Sequence, residues 1–336
     1  MILPEWISSS RIVLVAPLNW GLGHATRCIP IIQYLIENGK RVIIASDGDA
    51  LQLLKEEFPD LIHHEIPGYD IHYKYPSMVA NMLLQSWKMI TRVKAERKAT
   101  HQLVLKHNVD TILSDNRYGV RDPSCKNVII CHQINILHPI KAFAKMASAI
   151  NHRWINQFHE CWIPDFPPPQ GISGELSRAQ KLHHSRFIEV LTRFKPMDMP
   201  IDRDILVILS GPEPSRSRLE NILLKTLDGM DYLMIRGVPS AQIPGHPNLQ
   251  NFMTAHELNR AICSSRVVIC RSGYTSLMDL IKLKKKAVLI PTPGQVEQEY
   301  LARLAEKRYN SYFNVLKESE TAGQLIQQLT ETLSTI

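Results

Sequence analysis

The sequence predicts an α/β protein built as two parallel-sheet domains in tandem. Three observations carry this. Short runs rich in Val, Ile and Leu recur along the chain, each bounded by turn residues and followed by a helical stretch, the pattern of strands buried on both faces. Several runs end in Gly, Ser or Asp just before a helix begins. The alternation fades near Thr192–Pro200 and restarts at Asp204. A length of 336 residues also favours two domains over one.

In chain order, Met1–Ser10 reads as a loose leader and Arg11–Pro17 as the first strand. Leu18–Arg27 contains Gly21-x-Gly23-His24-x-x-Arg27 and leads into a helix stopped by Gly39. Two glycines let the backbone turn sharply, and His24 starts a helix at a strand's carboxyl end, where open α/β sheets bind ligands. The third glycine of a dinucleotide fingerprint is missing. Arg41–Ser46 and Leu61–Ile66 are further strands. Pro67–Tyr75 is a long aromatic loop, and a helix runs from Pro76 to about Lys106.

Val109–Leu113 is a strand ending at Asp115 and Arg117, and Asn127–Cys131 ends at His132. A helix from Pro139 to about Phe158 follows. Phe166–Gly174 is the loosest stretch, Arg186–Leu191 comes next, and Thr192–Pro200 reads as a linker. The domains are therefore 1–196 and 197–336.

In the second half, Asp204–Leu209 is a strand. The loop Ser210–Arg218 carries Gly211 and Arg216 ahead of a helix from about Leu219, suited to cradling a diphosphate, though it lacks the lysine of a P-loop. Asp231–Arg236 and Asn248–Phe252 are strands. Residues 266–270 form another, turning at Arg271-Ser272-Gly273 into a helix over Thr275–Leu283 with Asp279 on it. Ala287–Ile290 ends at Pro291, and a helix starts at Gln295. Two helix N-termini thus emerge at one sheet edge, with N–H groups and partial positive charge suited to phosphate. Gln295, Glu297 and Gln298 offer sugar-reading donors and acceptors. Tyr309–Phe313 is a last strand, and Thr321–Leu333 an amphipathic helix that would pack back on the first domain.

The net charge of +7 is uneven. Residues 74–106 hold seven cations and one acid, which accounts for the excess of the first half. Residues 78–98 run from greasy to basic, suited to an anionic membrane surface if the acceptor is lipid-linked. The plainer reading is a core helix with a solvated tail. Nucleic acid is not expected, because few aromatics interleave with these charges. Six cysteines without a C-x-x-C pair read as buried thiols, and no structural zinc is expected. With no membrane-length apolar run and no secretory leader, the expected location is cytoplasmic, including the inner face of the membrane.

The Gly21-x-Gly23-His24-x-x-Arg27 turn, Arg271-Ser-Gly273 with Asp279, and Gly294-Gln-Val-Glu-Gln298 together resemble the GT-B glycosyltransferases. The similarity is to the group holding the bacterial peptidoglycan N-acetylglucosamine transferase and the plant galactolipid synthases. It implies two Rossmann-like domains facing across a cleft, with an acceptor on the first and a nucleotide sugar, usually UDP-linked, on the second. It also implies inversion at the anomeric carbon with no essential metal or cofactor. Carried over by position, Gly211 to Arg216, Ser272 and Gly273 meet the diphosphate. Asp279 stands where the family usually has a ribose-binding Glu. Phe252 and Met253 meet the base edge, and Glu297 and Gln298 the donor sugar. The first-domain loop departs from the peptidoglycan enzyme's richer glycine run.

The expected activity is transfer of a sugar to an acceptor hydroxyl, on a glycan or lipid-linked carrier of the cell envelope. His24 is the first candidate for general base, and Asp115 the second, as base or as the group orienting the acceptor. The rival readings are a nucleotide-sugar hydrolase or 2-epimerase of the same fold, and a non-catalytic nucleotide-sugar sensor.

Overall fold

The computed structural model describes residues 2–69, 78–238 and 245–318, with 327, 330 and 334, and residues 78–88 as backbone. The predicted loop tip Asp70–Tyr75, the side chains of the greasy stretch up to Trp87, and the terminal helix Thr321–Leu333 lie outside what is described. The chain forms two compact units, one of residues 1–171 and 175–191, the other of 172–174 and 192–336.

The first unit holds β1 (Ile12–Pro17), α1 (Gly23–Glu37), β2 (Arg41–Ser46), α2 (Gly48–Glu57), β3 (Ile62–Glu65), α3 (Met78–His107), β4 (Thr111–Asp115), β5 (Lys126–Ile130), α4 (Lys141–Ile155), β6 (Glu160–Ile163) and β7 (Ser185–Phe187). Its seven strands are parallel in the order β3-β2-β1-β4-β5-β6-β7. The order reverses between β1 and β4, where Pro17 pairs with Asp115. The loops leaving β1 and β4 therefore diverge at this point and open the crevice where such sheets bind ligands. One core packs Leu14, Ile43 and Ile112 under Leu103 and Val104 of α3.

The second unit holds β8 (Arg203–Ile208), α5 (Ser215–Thr226), β9 (Tyr232–Ile235), β10 (Leu249–Gln250), α6 (Ala255–Ser264), β11 (Ser265–Cys270), α7 (Tyr274–Lys282), β12 (Ala287–Leu289), α8 (Val296–Arg308) and β13 (Phe313–Val315). The sheet is again parallel, in the order β10-β9-β8-β11-β12-β13. Its reversal falls between β8 and β11, with Ile208 beside Cys270. Leu219, Leu223, Val267, Ile269 and Val288 lie in its core. Both units thus build the two Rossmann-like halves expected of the sequence.

Four local expectations are corrected. The leader is not loose over its described residues, 2–10: Glu5–Ser9 is a 3-10 helix with Ile7 buried, and Trp6 lies 5.9 Å from Trp162 with Lys126 over its ring. The apolar pair Trp6-Ile7 finds the sheet, which composition alone does not reveal. Phe166–Gly174 is not loose throughout, since Ile172 and Ser173 are buried. Thr192–Pro200 is no free linker in its first half. Phe194 is buried, and the Lys195 carbonyl accepts from Asn259. The last strand falls at Phe313–Val315, because Tyr309 caps α8.

The strand-end loops of the first unit are tied together by one buried guanidinium. Asn116 takes a left-handed φ of 58°, so the chain turns between Asp115 and Arg117 and sends them different ways. Arg117 is fully buried. It donates to Glu96 of α3 at 2.7 Å, to Asp47 after β2 at 2.6 Å, and to the carbonyls of Pro17 and Pro67. Tyr69 donates its hydroxyl to the other Glu96 oxygen at 2.6 Å. Breaking a buried pair strands a charge without its partner. Arg117→Met is therefore expected to cost about 3–5 kcal/mol in denaturant unfolding, at an unchanged slope.

Candidate active site

The loop leaving β1 needs Gly21, whose φ is +68°, to turn back over the sheet edge. Gly23 then opens α1, and His24 and Arg27 stand one turn apart on one helix face. Across the switch point, Asp115 ends β4 with its side chain fully buried. His24 Nδ1 lies 3.0 Å from Asp115 Oδ1. Arg27 Nε donates to Asp115 Oδ2 at 2.6 Å, and its Nη2 donates to Oδ1, a bidentate clamp. Arg27 Nη1 donates to His132 Nδ1 at 3.1 Å, just past β5. The structure thus brings His24, Arg27 and Asp115 together and adds His132.

Burial alone would raise the Asp115 carboxyl, but Arg27 and His24 outweigh it and hold it well below the usual range. Asp115 is therefore a fixed carboxylate. Burial and the neighbouring guanidinium lower His24 below its ordinary value, against the upward pull of Asp115. His24 is neutral at pH 7. Arg27 Nη2 also approaches His24 Nδ1, at 2.9 Å, so two tautomers compete. A carboxylate is the stronger acceptor, which assigns the ring N–H to Asp115 and leaves Nε2 with its lone pair. The His24 side chain keeps 12% of its surface exposed while Asp115 has none, so the imidazole is the member of the pair open to solvent.

The second unit repeats the placement. Gly211, with φ +103°, lies in the loop after β8, and Arg271-Ser272-Gly273 leaves β11 on the other side of the reversal. Gly273 caps α7 at an ordinary φ of −67°. A Cβ there would meet only Ser276 Oγ, at 3.9 Å. Its value is thus open space above helix N–H groups, which suits an anion's close approach. Phe252 and Met253 are half-buried between β10 and α6. Asp279 faces inward on α7, where it accepts from Thr192 and lies near Arg193, and burial pushes its carboxyl up to about 7.

Several predicted ligand groups already have protein partners. The Arg216 guanidinium is taken up by protein groups. Because α5 starts at Ser215, four residues earlier than expected, the guanidinium turns inward to Glu213, Glu220 and Ser217. Ser272 donates its hydroxyl to the Gln298 carbonyl at 2.8 Å. The Gln298 amide donates to Gln295 and accepts from Thr292 N–H. Glu297 sits half-buried in the first turn of α8. Arg271, buried, links the Ile290 and Pro291 carbonyls, Ser215 and Glu318, which fixes these loops of the second unit to one another. His132, Arg271 and Glu299, which accepts from Gly294 N–H, are missing from the predicted set. Their one sequence signal is a polar residue just past a strand or in a helix's first turn. Among the described residues no group of three or more His, Cys, Asp or Glu converges to hold a metal.

Two doubly wound parallel sheets, each with its own switch point, define the GT-B fold of glycosyltransferases. Residues 237–336 match the family model described as the glycosyltransferase family 28 C-terminal domain, so the second unit carries the likeness to that domain. No curated protein matches the chain. Among solved structures, the chain is similar to MurG of Acinetobacter baumannii, with 15% identity, TM-score 0.55 and coverage of 97% of this chain and 91% of that one. It is similar to UGT2 of Phytolacca americana, complexed with UDP-2-fluoro-glucose and pterostilbene, with 13% identity, TM-score 0.65 and coverage of 99% and 91%. It is also similar to the spinosyn rhamnosyltransferase SpnG, complexed with thymidine diphosphate, with 14% identity, TM-score 0.62 and coverage of 97% and 91%. Identities this low carry the fold and leave the substrates open.

Asp279 gives a test by stability. Its folded pKa of about 7 stands above the carboxylate's ordinary 3.8, so the folded chain binds the extra proton and stability falls as pH rises between those values. Asp279→Asn is expected to melt higher than the parent at pH 8, with the difference shrinking toward pH 4.

Proposed function

We propose that the chain transfers a sugar from a nucleoside diphosphate donor, UDP-linked, to an acceptor hydroxyl, with inversion at the anomeric carbon. The observation that carries this is the His24–Asp115–Arg27 cluster at the first unit's switch point. The acceptor O–H gives its proton to His24 Nε2 as its oxygen bonds the anomeric carbon. The bond from that carbon to the diphosphate breaks, and the nucleotide leaves with the electron pair. Asp115 stays ionised, orients the imidazole and stabilises the imidazolium that forms. Arg27 keeps Asp115 charged.

The donor is assigned to the second unit. N–H groups at the starts of α5 and α7, with the Gly211 loop and Gly273, face the diphosphate and stabilise its departing charge without metal or cofactor. Asp279 takes the ribose, Phe252 and Met253 the base edge, and Glu297, Gln298 and Gln295 the sugar. For Gln295 and Gln298 this requires exchanging the bond they make to each other. The family 28 domain supports this half of the reading. The acceptor is a glycan or lipid-linked hydroxyl of the cell envelope, met at the cytoplasmic face of the membrane. No helix among the described residues is long and apolar enough to cross a bilayer.

A melting-shift panel of UDP-, GDP- and dTDP-sugars identifies the donor, since a ligand bound only by the folded state raises the melting point. UDP-sugars are expected to give the largest shift, and no shift with any of them would end the donor assignment. With the donor known, His24→Ala is expected to lower kcat/KM by about 10²–10⁴-fold with little change in donor binding. Normal turnover in that variant would end the assignment of the base. Free sugar released without acceptor would mark a hydrolase instead. The parent's kcat/KM should hold at neutral pH and fall only as pH drops below 6.5, because the base must be neutral and His24 is lowered from that value.

A further inference from the structure

We infer that the outer face of helix α4 is the surface by which this chain docks on an anionic lipid bilayer. The inference names the element that meets lipid and does not depend on the sugar-transfer reading. Lys141–Ile155 contains no acid. Ile140, Met146 and Ile150 are 59%, 51% and 53% exposed, a concentration of large apolar side chains within one short stretch. Lys141, Lys145 and Arg153 are exposed among them.

The arrangement follows from helical spacing. At about 100° per residue, Met146 and Ile150 lie one turn apart in one row, Lys141 and Lys145 form a second row, and Arg153 follows about one turn beyond Ile150. Ala142 and Ala149, both exposed, fill the space between the rows. The helix presents grease and cations together, with small residues that let it lie flat on a surface.

This face is held outward by the packing of the other. Ala147, Asn151, His152 and Ile155 are buried. The Asn151 amide donates to the Gln133 and Ile134 carbonyls and accepts from the Tyr118 hydroxyl at 2.6 Å. Trp154 meets Tyr118 edge to face at 5.0 Å. Positive charge continues past the helix, because Arg121 donates to Gln157 just beyond its end. A protein partner of matching chemistry would need acids set against these cations and a pocket for an aromatic anchor. Headgroup phosphates and acyl chains meet the same surface without a fixed register.

The sequence directs attention instead to residues 78–98 of α3, whose last turns expose Lys94, Arg97 and Lys98. The two helices are separable by substitution. The test is flotation of the full chain with phosphatidylcholine vesicles, with and without phosphatidylglycerol. Binding is expected only with the anionic lipid, and high salt should release it. Met146→Gln with Ile150→Gln, and separately Lys141→Gln with Lys145→Gln, should each raise the lipid needed for half-binding by about tenfold. All four positions are exposed, and an unchanged melting point confirms that the fold is kept. Lys94→Gln with Lys98→Gln should have a smaller effect. No flotation with anionic vesicles at low salt, equal flotation with neutral ones, or α4 variants that bind like the parent would each overturn the inference. Loss of binding only in the α3 variant would assign the contact to α3.

Discussion

The bidentate ion pair between Arg27 and Asp115 is the contact on which the candidate site depends. A carboxyl buried as deeply as Asp115 would otherwise take up a proton, because burial disfavours the charged form. A neutral Asp115 would no longer draw the His24 ring N–H. The imidazole would then lose both its tautomer and its orientation. The same guanidinium pushes His24 toward its neutral form. One cation thus keeps an acid ionised and a base free, two conditions that a base acting near neutral pH requires. His132 holds the far side of Arg27 and makes the cluster a chain of four side chains from α1, β4 and the end of β5.

The fold explains why these groups meet. Parallel strands leave their polar loops at one edge, and the reversal of strand order parts two of those loops. In the first unit the parted loops carry His24 and Asp115. In the second they carry Gly211 and the Arg271–Gly273 turn. Each unit then fastens its loops with a buried arginine. Arg117 gathers the ends of β1, β2 and β3, and Arg271 gathers the start of α5 and the end of β12. Buried charges of this kind are costly unless fully paired, so they hold a geometry more than they add stability.

Much of this was legible in the sequence because it is local. Strand runs, glycine turns and helix starts sit within ten residues of each other, so the two domains, the His24 turn and the Gly273 turn could be read directly. Asp115 was legible as a polar residue at the end of an apolar run. What escaped reading depends on distant partners. Nothing near Arg27 in the chain announces His132, and nothing near Arg117 announces Asp47. Arg216 reads as a phosphate ligand from its loop, yet an earlier helix start turns it toward Glu220. Gln298 reads as a sugar contact, yet its amide serves the Thr292 turn. Trp6 and Thr192 look like ends and linkers until a sheet and an acid are placed beside them.

The most direct test of the central claim is an NMR titration of His24 in the nitrogen-labelled full chain. The account predicts a neutral ring at pH 7 with its proton on Nδ1, a midpoint below 6.5, and loss of that single tautomer when Arg27 is replaced by Met. A His24 ring already charged at pH 7, or a proton on Nε2 in the parent protein, would contradict it.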